Sequence, residues 1–315
     1  MMTPDELLSH TFLVRHLTNL GVRDGLYQRA RRGEVTRVHR GCFVDSAYWG
    51  ALPLADRHRA MAHLAALSFG NDLVFCHLTA AAMWRLPVLG AWPERVHVAG
   101  KPGYGSHSSA TLARHAQGID PAAHTIDGLQ VTSLALTVAQ VAADQGFACG
   151  VVVADAAMRR SIHPFPGLDS AVTRADLVTA ASSIALNHGG RRAQSVAEFA
   201  DGSADRPGES MSRVSMRAAG ITPPQLQVVV YGASGARYVV DFYWPALKQI
   251  GEFDGQLKYR DPEFLRGRTP EQALADEKAR EDDLRAAGYK VCRWGWAVAL
   301  SPARLAAHLR LAGVR

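Results

Sequence analysis

Residues 237–259 read RYVVDFYWPALKQIGEFDGQLKY. Two short apolar runs each end in acid. Val239-Val240 leads to Asp241, and Ile250-Gly251 leads to Glu252, Phe253 and Asp254. An ionised carboxylate is costly to bury alone, so acids at the ends of buried strands need a partner, a cation or water. Trp244-Pro245-Ala246 between the runs is a turn signal, and the stretch reads as two adjacent strands. Residues two apart in a strand share a face. Glu252 and Asp254 therefore share one, and Asp241 approaches the same point if the hairpin pairs in register. Converging carboxylates repel unless a hard divalent cation neutralises them. Mg²⁺ or Mn²⁺ held there would activate water and stabilise charge on a phosphodiester. A plainer reading stands beside this one: Asp241 ends a strand, and Asp254-Gly255 is a turn.

The flanking sequence extends the pattern to α-β-β-β-α-β-α. Residues 209–219 (ESMSRVSMRAA) predict a helix with Met211, Val214 and Ala218 on its apolar face. Strands follow at 226–231, 237–243 and 248–253, the first two joined by Gly232-Ala233-Ser234-Gly235. Residues 270–287 predict a charged helix with Glu277/Arg280 and Glu281/Arg285 pairs, ended by Gly288. A fourth strand at 289–294 and a last helix opened by Ser301-Pro302 complete the order.

This order resembles that of the PD-(D/E)xK nuclease superfamily, and more closely its very-short-patch-repair endonuclease-like branch. The matching residues run from Glu209 to about Val298. Asp241-Phe242-Tyr243-Trp244-Pro245 is similar to the branch's D-F-x-x-P element, and Glu252-Phe253-Asp254-Gly255 to its next strand. EKAREDDLRAAGYKVCRW (277–294) is similar to its last helix and strand. The resemblance implies a restriction-endonuclease-like fold, a central mixed sheet flanked by helices, and a Mg²⁺- or Mn²⁺-dependent deoxyribonuclease. It makes Asp241 the metal aspartate and Glu252 the second acid, with Glu209 holding the metal or orienting water. Asp254 stands where the superfamily has lysine, an exchange that many members of the branch share. Those members often carry histidine four or five residues further on, where this chain has Lys258 and Tyr259. Lys258 is then the candidate cation for the pentavalent phosphorane. The catalytic set so implied is Asp241, Glu252, Asp254, Lys258 and Glu209, with Asp241, Glu252 and Asp254 as metal ligands. Arg280 pairs with Glu252 or Asp241, contacts phosphate, or makes a helix-surface salt bridge.

The other end of the chain has a different character. Thr3-Pro4-Asp5-Glu6 predicts a capped helix start, Asn19-Leu20-Gly21 a turn, and residues 23–32 a second helix stopped by Gly33. Residues 35–44 are β-rich and broken at Gly41, as in a two-stranded wing. Helix, turn, helix and basic wing is the order of a winged helix-turn-helix. RARRGEVTRVHR (29–40) carries Arg29, Arg31, Arg32, Arg37 and Arg40 against one Glu, a charge set suited to the phosphates of double-stranded DNA. The alternative is that arginines near a helix end merely complement its dipole.

Between these parts, 56–67 reads as a helix, 73–76 and 96–99 as strands, His77 as a helix start, and 131–139 as a strand end entering a helix. His58, His63, His77, His97, His107 and His115 follow no HExxH or other ligand spacing and are expected in the core or on the surface. The four cysteines are far apart, with no CxxC pair, and are expected as buried free thiols of a reducing cytoplasm. RRGEVTRVHRGCFV, CHLTAAAMWRLP and GLQVTSLALTVAQVAAD, in that order, resemble AbiEi-family antitoxin-related proteins over about residues 1–190. That resemblance implies DNA binding and transcriptional regulation, and no catalytic residue.

The bulk properties agree with a globular chain of more than one domain. It has 315 residues, 48% of them apolar, and a net charge of +6. No apolar run reaches the roughly 18 residues of a membrane span, and MMTPDELLSH lacks the pattern of a signal peptide. The expectation is an α/β (α+β) protein in three parts: a winged helix-turn-helix over 1–50, an α/β middle domain over 51–192, and a nuclease-like domain over 193–315. Two functions follow from it. One is a DNA-binding, metal-dependent endonuclease. The other is a non-catalytic regulator or antitoxin of the AbiEi type, with a cognate toxin as partner.

Overall fold

The computed structural model describes residues 2–17, 20–70, 72–100, 108–116, 120, 122–168, 171–255 and 269–315. Lys258, Tyr259 and His107 lie outside these described residues. The protein is α+β, with helices around three separate sheets. Among the described residues no helix is long and apolar enough to cross a membrane. The chain divides into two compact units: 1–153 with 165–198, and 154–164 with 199–315. The expected parts 1–50 and 51–192 both fall in the first unit, apart from residues 154–164.

The first unit opens with helix α1 (Pro4–Ser9), strand β1 (Thr11–Leu13), helix α2 (Leu20–Arg31) and strands β2 (Val35–His39) and β3 (Cys42–Asp45). Thr3 caps α1 by accepting from the Glu6 N–H at 3.2 Å. The strands form an antiparallel sheet in the order β1-β3-β2, with Phe12 opposite Phe43 and Thr36 opposite Val44. The hairpin expected over 35–44 is present, and β1 adds an edge that three residues of sequence do not announce. On α2, Leu26 is buried with Val35 and Phe43, whereas Val22 is 52% exposed.

Helices α3 (Ser46–Ala51) and α4 (Leu54–Phe69) lead to a second sheet of strands β4 (Val74–Phe75), β5 (Val96–Ala99), β6 (Leu112–His115), β7 (His124–Ile126) and β8 (Leu129–Val131). Their spatial order is β6-β5-β4-β8-β7. Helices α5 (His77–Met83), α6 (Leu134–Gln145), α7 (Phe147–Arg159), α8 (Arg174–Ser182) and α9 (Gly190–Phe199) accompany it. Ser133 caps α6, which ends at Asp144-Gln145, where polar residues break the apolar run.

The second unit holds helix α10 (Pro207–Ala218), strands β9 (Gln225–Tyr231), β10 (Arg237–Trp244) and β11 (Gln249–Phe253), helix α11 (Pro270–Ala286), strand β12 (Lys290–Trp294), and helices α12 (Trp296–Ala299) and α13 (Pro302–Leu311). The sheet runs β12-β11-β10-β9, with β12 parallel to β11 and the other pairs antiparallel. One apolar cluster joins Phe242, Trp244, Phe253 and Trp294 to Met216, Leu305 and Leu309. Another joins Val230, Val240 and Ile250 to Leu284 of α11. The sheet is thus covered by helices on both sides.

The face of α10 that packs differs from the expected one. Ala218 is exposed, and the buried residues are Gly208, Glu209, Ser210, Met211, Ser212, Ser215 and Met216. Hydroxyls can be buried here because each finds a partner. Ser212 Oγ donates to the Gly208 carbonyl at 2.7 Å and accepts from Trp294 Nε1 at 2.8 Å. Ser215 Oγ donates to the Ala299 carbonyl at 2.6 Å.

Candidate active site

The site begins with a glycine. A Cβ on Gly208 would lie 2.0 Å from Cε1 of Phe253, so only glycine lets the first turn of α10 rest on that ring. The next residue, Glu209, is thereby carried into the unit with 2% of its surface exposed. Its Oε2 accepts from the Asp205 N–H at 2.9 Å and from Gln227 Nε2 at 2.9 Å. The same Gln227 Nε2 donates to Asp241 Oδ1 at 3.3 Å. Asp241 Oδ2 accepts from the Phe253 N–H at 2.8 Å. One side-chain amide therefore bridges two carboxylates.

The backbone is irregular at this point. In a regular strand Val240 and Phe242 would face one core. Here they feed different clusters, as do Val228 and Leu226 on β9. The break falls at Asp241 and at its neighbour Gln227, whose φ is 50°. The β10–β11 ladder runs from Trp244 opposite Gln249 to Phe242 opposite Gly251. Asp241 and Glu252 are the next positions past its end. There the Asp241 carboxylate takes the Phe253 N–H, and Arg280 Nη2 donates to the Val239 carbonyl at 2.7 Å. Side chains thus do the work of the ladder where the strands part.

Glu252, 8% exposed, accepts from Arg280 Nη2 at 2.9 Å. Of the partners open to Arg280 on sequence, Glu252 is the one it meets. The expected Glu277/Arg280 pairing along α11 gives way to this contact, and Glu277 meets Arg293 instead. The expected Glu281/Arg285 pair is present at 2.7 Å. Asp254 is fixed through its backbone, its N–H donating to the Trp294 carbonyl at 2.8 Å.

Burial pushes the Glu209 carboxyl up to about 8, and the neighbouring Asp241 charge adds to the rise. Hydrogen bonds from Asp205 and Gln227 oppose it without prevailing. Position in the first turn of a helix also favours the ionised form, so desolvation and like charge outweigh three opposing effects. Near neutral pH Glu209 therefore carries a proton that a cation could displace. The donor set of Glu209, Asp241 and Glu252 is all oxygen, the chemistry of a hard divalent ion. Those residues fit such an ion at Glu209 and Asp241, while Arg280 already supplies positive charge at Glu252.

The convergence of Asp241, Glu252 and Asp254 expected from sequence takes another form. Among the described residues those three do not bring ligand atoms within 4.8 Å of one another; the group that does is Cys76, His77 and His115 in the first unit. The physical reason is that Asp241 turns to Gln227 and Phe253, whereas Glu252 turns to Arg280. The acid nearest to Asp241 through hydrogen bonds is Glu209. Gln227 had no role in the sequence reading, and its one visible signal is an amide inside the apolar run LQVVVY.

The arginines of residues 29–40 lie on α2, just after it, on β2 and in the turn after β2. Arg31, Arg32, Arg37 and Arg40 are exposed, and Arg29 is half-buried. Glu34 pairs with Arg29 at 3.3 Å and with Arg32 at 2.8 Å, which removes part of the charge expected of the cluster. Arg29 also lies over the Phe12 ring, 4.8 Å from its centroid.

No family model matches the chain. It is 26% identical over 224 residues to the uncharacterized protein Rv2248 of Mycobacterium tuberculosis strain ATCC 25618 / H37Rv, a match covering 70% of this chain and 78% of the relative. The uncharacterized protein MT2308 of strain CDC 1551 / Oshkosh matches with the same identity and coverage.

Proposed function

We propose that the chain binds duplex DNA through its N-terminal sheet and helices and hydrolyses DNA phosphodiesters at the second unit. The observation that carries this reading is the amide of Gln227 bridging Glu209 and Asp241 where the β10–β11 ladder ends. A pair of acids held this close, one with its proton retained, is a place prepared for a positive charge. Bound Mg²⁺ or Mn²⁺ would neutralise the acids and supply an activated water. Asp241 and Glu209 would hold it, Gln227 and the Phe253 N–H would keep Asp241 oriented, and Arg280 would hold Glu252. Incubation of the full chain with supercoiled plasmid and Mg²⁺ or Mn²⁺, beside Asp241→Ala, tests the reading. Cleavage that needs both the metal and Asp241 is expected. Its absence across supercoiled, linear and single-stranded substrates sinks the proposal.

One observation favours a second reading. Arg280 Nη2, 2.9 Å from Glu252, stands in as a permanent cation, as in a site that binds without cleaving. The protein is then a regulator of the AbiEi type that holds promoter DNA through Arg31, Arg37 and Arg40. In that case Arg31→Ala and Arg37→Ala each weaken binding to the protein's own promoter and lower the salt slope by about one. Binding unchanged in both variants removes this reading.

A further inference from the structure

Strands β4, β5 and β6 bring a second constellation together in the first unit, unrelated to the acids of the second. Cys76 and His77 leave the end of β4, His97 lies on the neighbouring β5, and His115 ends β6. The Cys76 N–H donates to the His97 carbonyl at 3.0 Å, which locks β4 to β5 at this level. His77 Nδ1 is 3.2 Å from Cys76 Sγ. The His77 and His115 rings stack with centroids 3.7 Å apart, and His115 Nε2 is 3.1 Å from His97 Nδ1. One ligand atom from each of Cys76, His77 and His115 lies within 4.8 Å of the other two.

The geometry points to a zinc-class metal site with Cys76, His77 and His115 as ligands and His97 orienting His115. Thiolate and imidazole are the donors that select such ions over Mg²⁺. Sulfur and nitrogen on a tetrahedral zinc lie about 3.6 Å apart at ordinary bond lengths. The Cys76–His77 pair, at 3.2 Å, is already near that spacing, and the other ligand atoms lie within 4.8 Å of one another. The His97–His115 contact is of the kind that fixes the tautomer and the angle of a metal-bound ring. His97 and His115 are half-buried, whereas Cys76 and His77 are buried.

One further observation supports the assignment. The first helical residue, His77, has φ of 51°, a strained conformation for a non-glycine residue, and Gln140 Oε1 accepts its N–H at 3.0 Å to hold it there. Binding replaces the Cys76 proton by the metal and releases that proton to solvent, with no change of oxidation state.

The test uses the full chain, stripped with a chelator and titrated with Zn²⁺ and Co²⁺. About one equivalent of metal is expected, with the Co²⁺ form showing a thiolate-to-metal charge-transfer band and intense tetrahedral d–d bands. Cys76→Ser should abolish the charge-transfer band. His115→Gln, at a half-buried position that tolerates change, should weaken Zn²⁺ by about tenfold or more in competition with a chromogenic chelator, its fold checked by circular dichroism. His97→Gln should weaken binding and leave the band. Folded wild-type protein that takes up no stoichiometric Zn²⁺ or Co²⁺, a Co²⁺ spectrum without the thiolate band, or affinity unaltered in His115→Gln would each overturn the assignment.

Discussion

Gln227 holds two carboxylates with one amide, and does so from a left-handed backbone conformation. That conformation costs a non-glycine residue roughly 1–2 kcal/mol, so the surrounding contacts must over-determine it. Gln227→Gly removes the strain and the amide together. The strain relieved and the hydrogen bonds lost are of similar size, so stability in urea is expected within about 1 kcal/mol of wild type. On the proposed nuclease reading, metal-dependent plasmid cleavage falls by about tenfold or more, because Asp241 loses its orientation. Unchanged cleavage would remove Gln227 from the site. Asp241 and Glu252 were legible in the sequence because an acid at the end of an apolar strand is conspicuous. Gln227 was not, since what singles it out is a dihedral angle and a pair of partners. Cys76, His77, His97 and His115 were equally hidden. Their sequence spacing follows no motif, and only the order β6-β5-β4 makes them neighbours.

At the scale of elements, α10 shows where periodicity misleads. Its apolar letters suggested a face through Met211, Val214 and Ala218; Met211 is buried, but the rest of the buried face runs through Gly208, Ser212, Ser215 and Met216. Small residues win because the helix must lie close against Phe253, Trp294 and Ala299, and their hydroxyls are satisfied there. Gly208→Ala places a methyl against the Phe253 ring and is expected to destabilise the second unit by about 1–3 kcal/mol, the usual range for overpacking. The midpoint of urea unfolding followed by tryptophan fluorescence measures it. A variant as stable as wild type would mean that the ring yields freely. Strands with turns and glycines at their ends were read correctly to within a residue or two, as for β5, β9, β10 and β12. The short strands β1, β6 and β7 were not, because three or four residues carry too little pattern to stand out.

For the whole molecule, the two units carry buried titratable groups of opposite kind. In the second unit the folded-state value of Glu209 is raised from 4.5 to about 8. Its stabilising contribution is complete below pH 4.5 and is lost as pH rises through 8. In the first unit His58, His63 and His97 are lowered from 6.5 to about 4, and His77 to about 2. Their contribution is present above pH 6.5 and is lost as pH falls through about 4. Scanning calorimetry of the metal-free chain is expected to resolve transitions that drift in opposite directions with pH. Acid lowers the one belonging to the first unit, and alkali lowers the one belonging to the second. Glu209→Gln should remove the larger part of the loss between pH 4.5 and 8, on the order of a few kcal/mol, and leave the first unit's transition unaltered, while Asp155, also raised by burial, keeps a share. Parallel drift of both transitions would contradict this picture. The two-unit division itself is not written in the sequence, because residues 154–164 join the distant 199–315 through a buried ion pair. Asp155 meets Arg213 at 2.5 Å and accepts from the Asp201 N–H at 2.7 Å.

Phe253 occupies a singular place in the second unit. Its ring lies against Gly208, next to Glu209, and its backbone N–H holds Asp241. The two acids are therefore coupled through one aromatic residue as well as through one amide, and a displacement of that ring is felt at both. Selection acting on the site would act on this contact as a unit. Chains that diverge here would have to change positions 208 and 253 in concert, a larger residue at one matched by a smaller one at the other. A paired substitution would then mark descent of the site even after its individual letters had drifted past recognition.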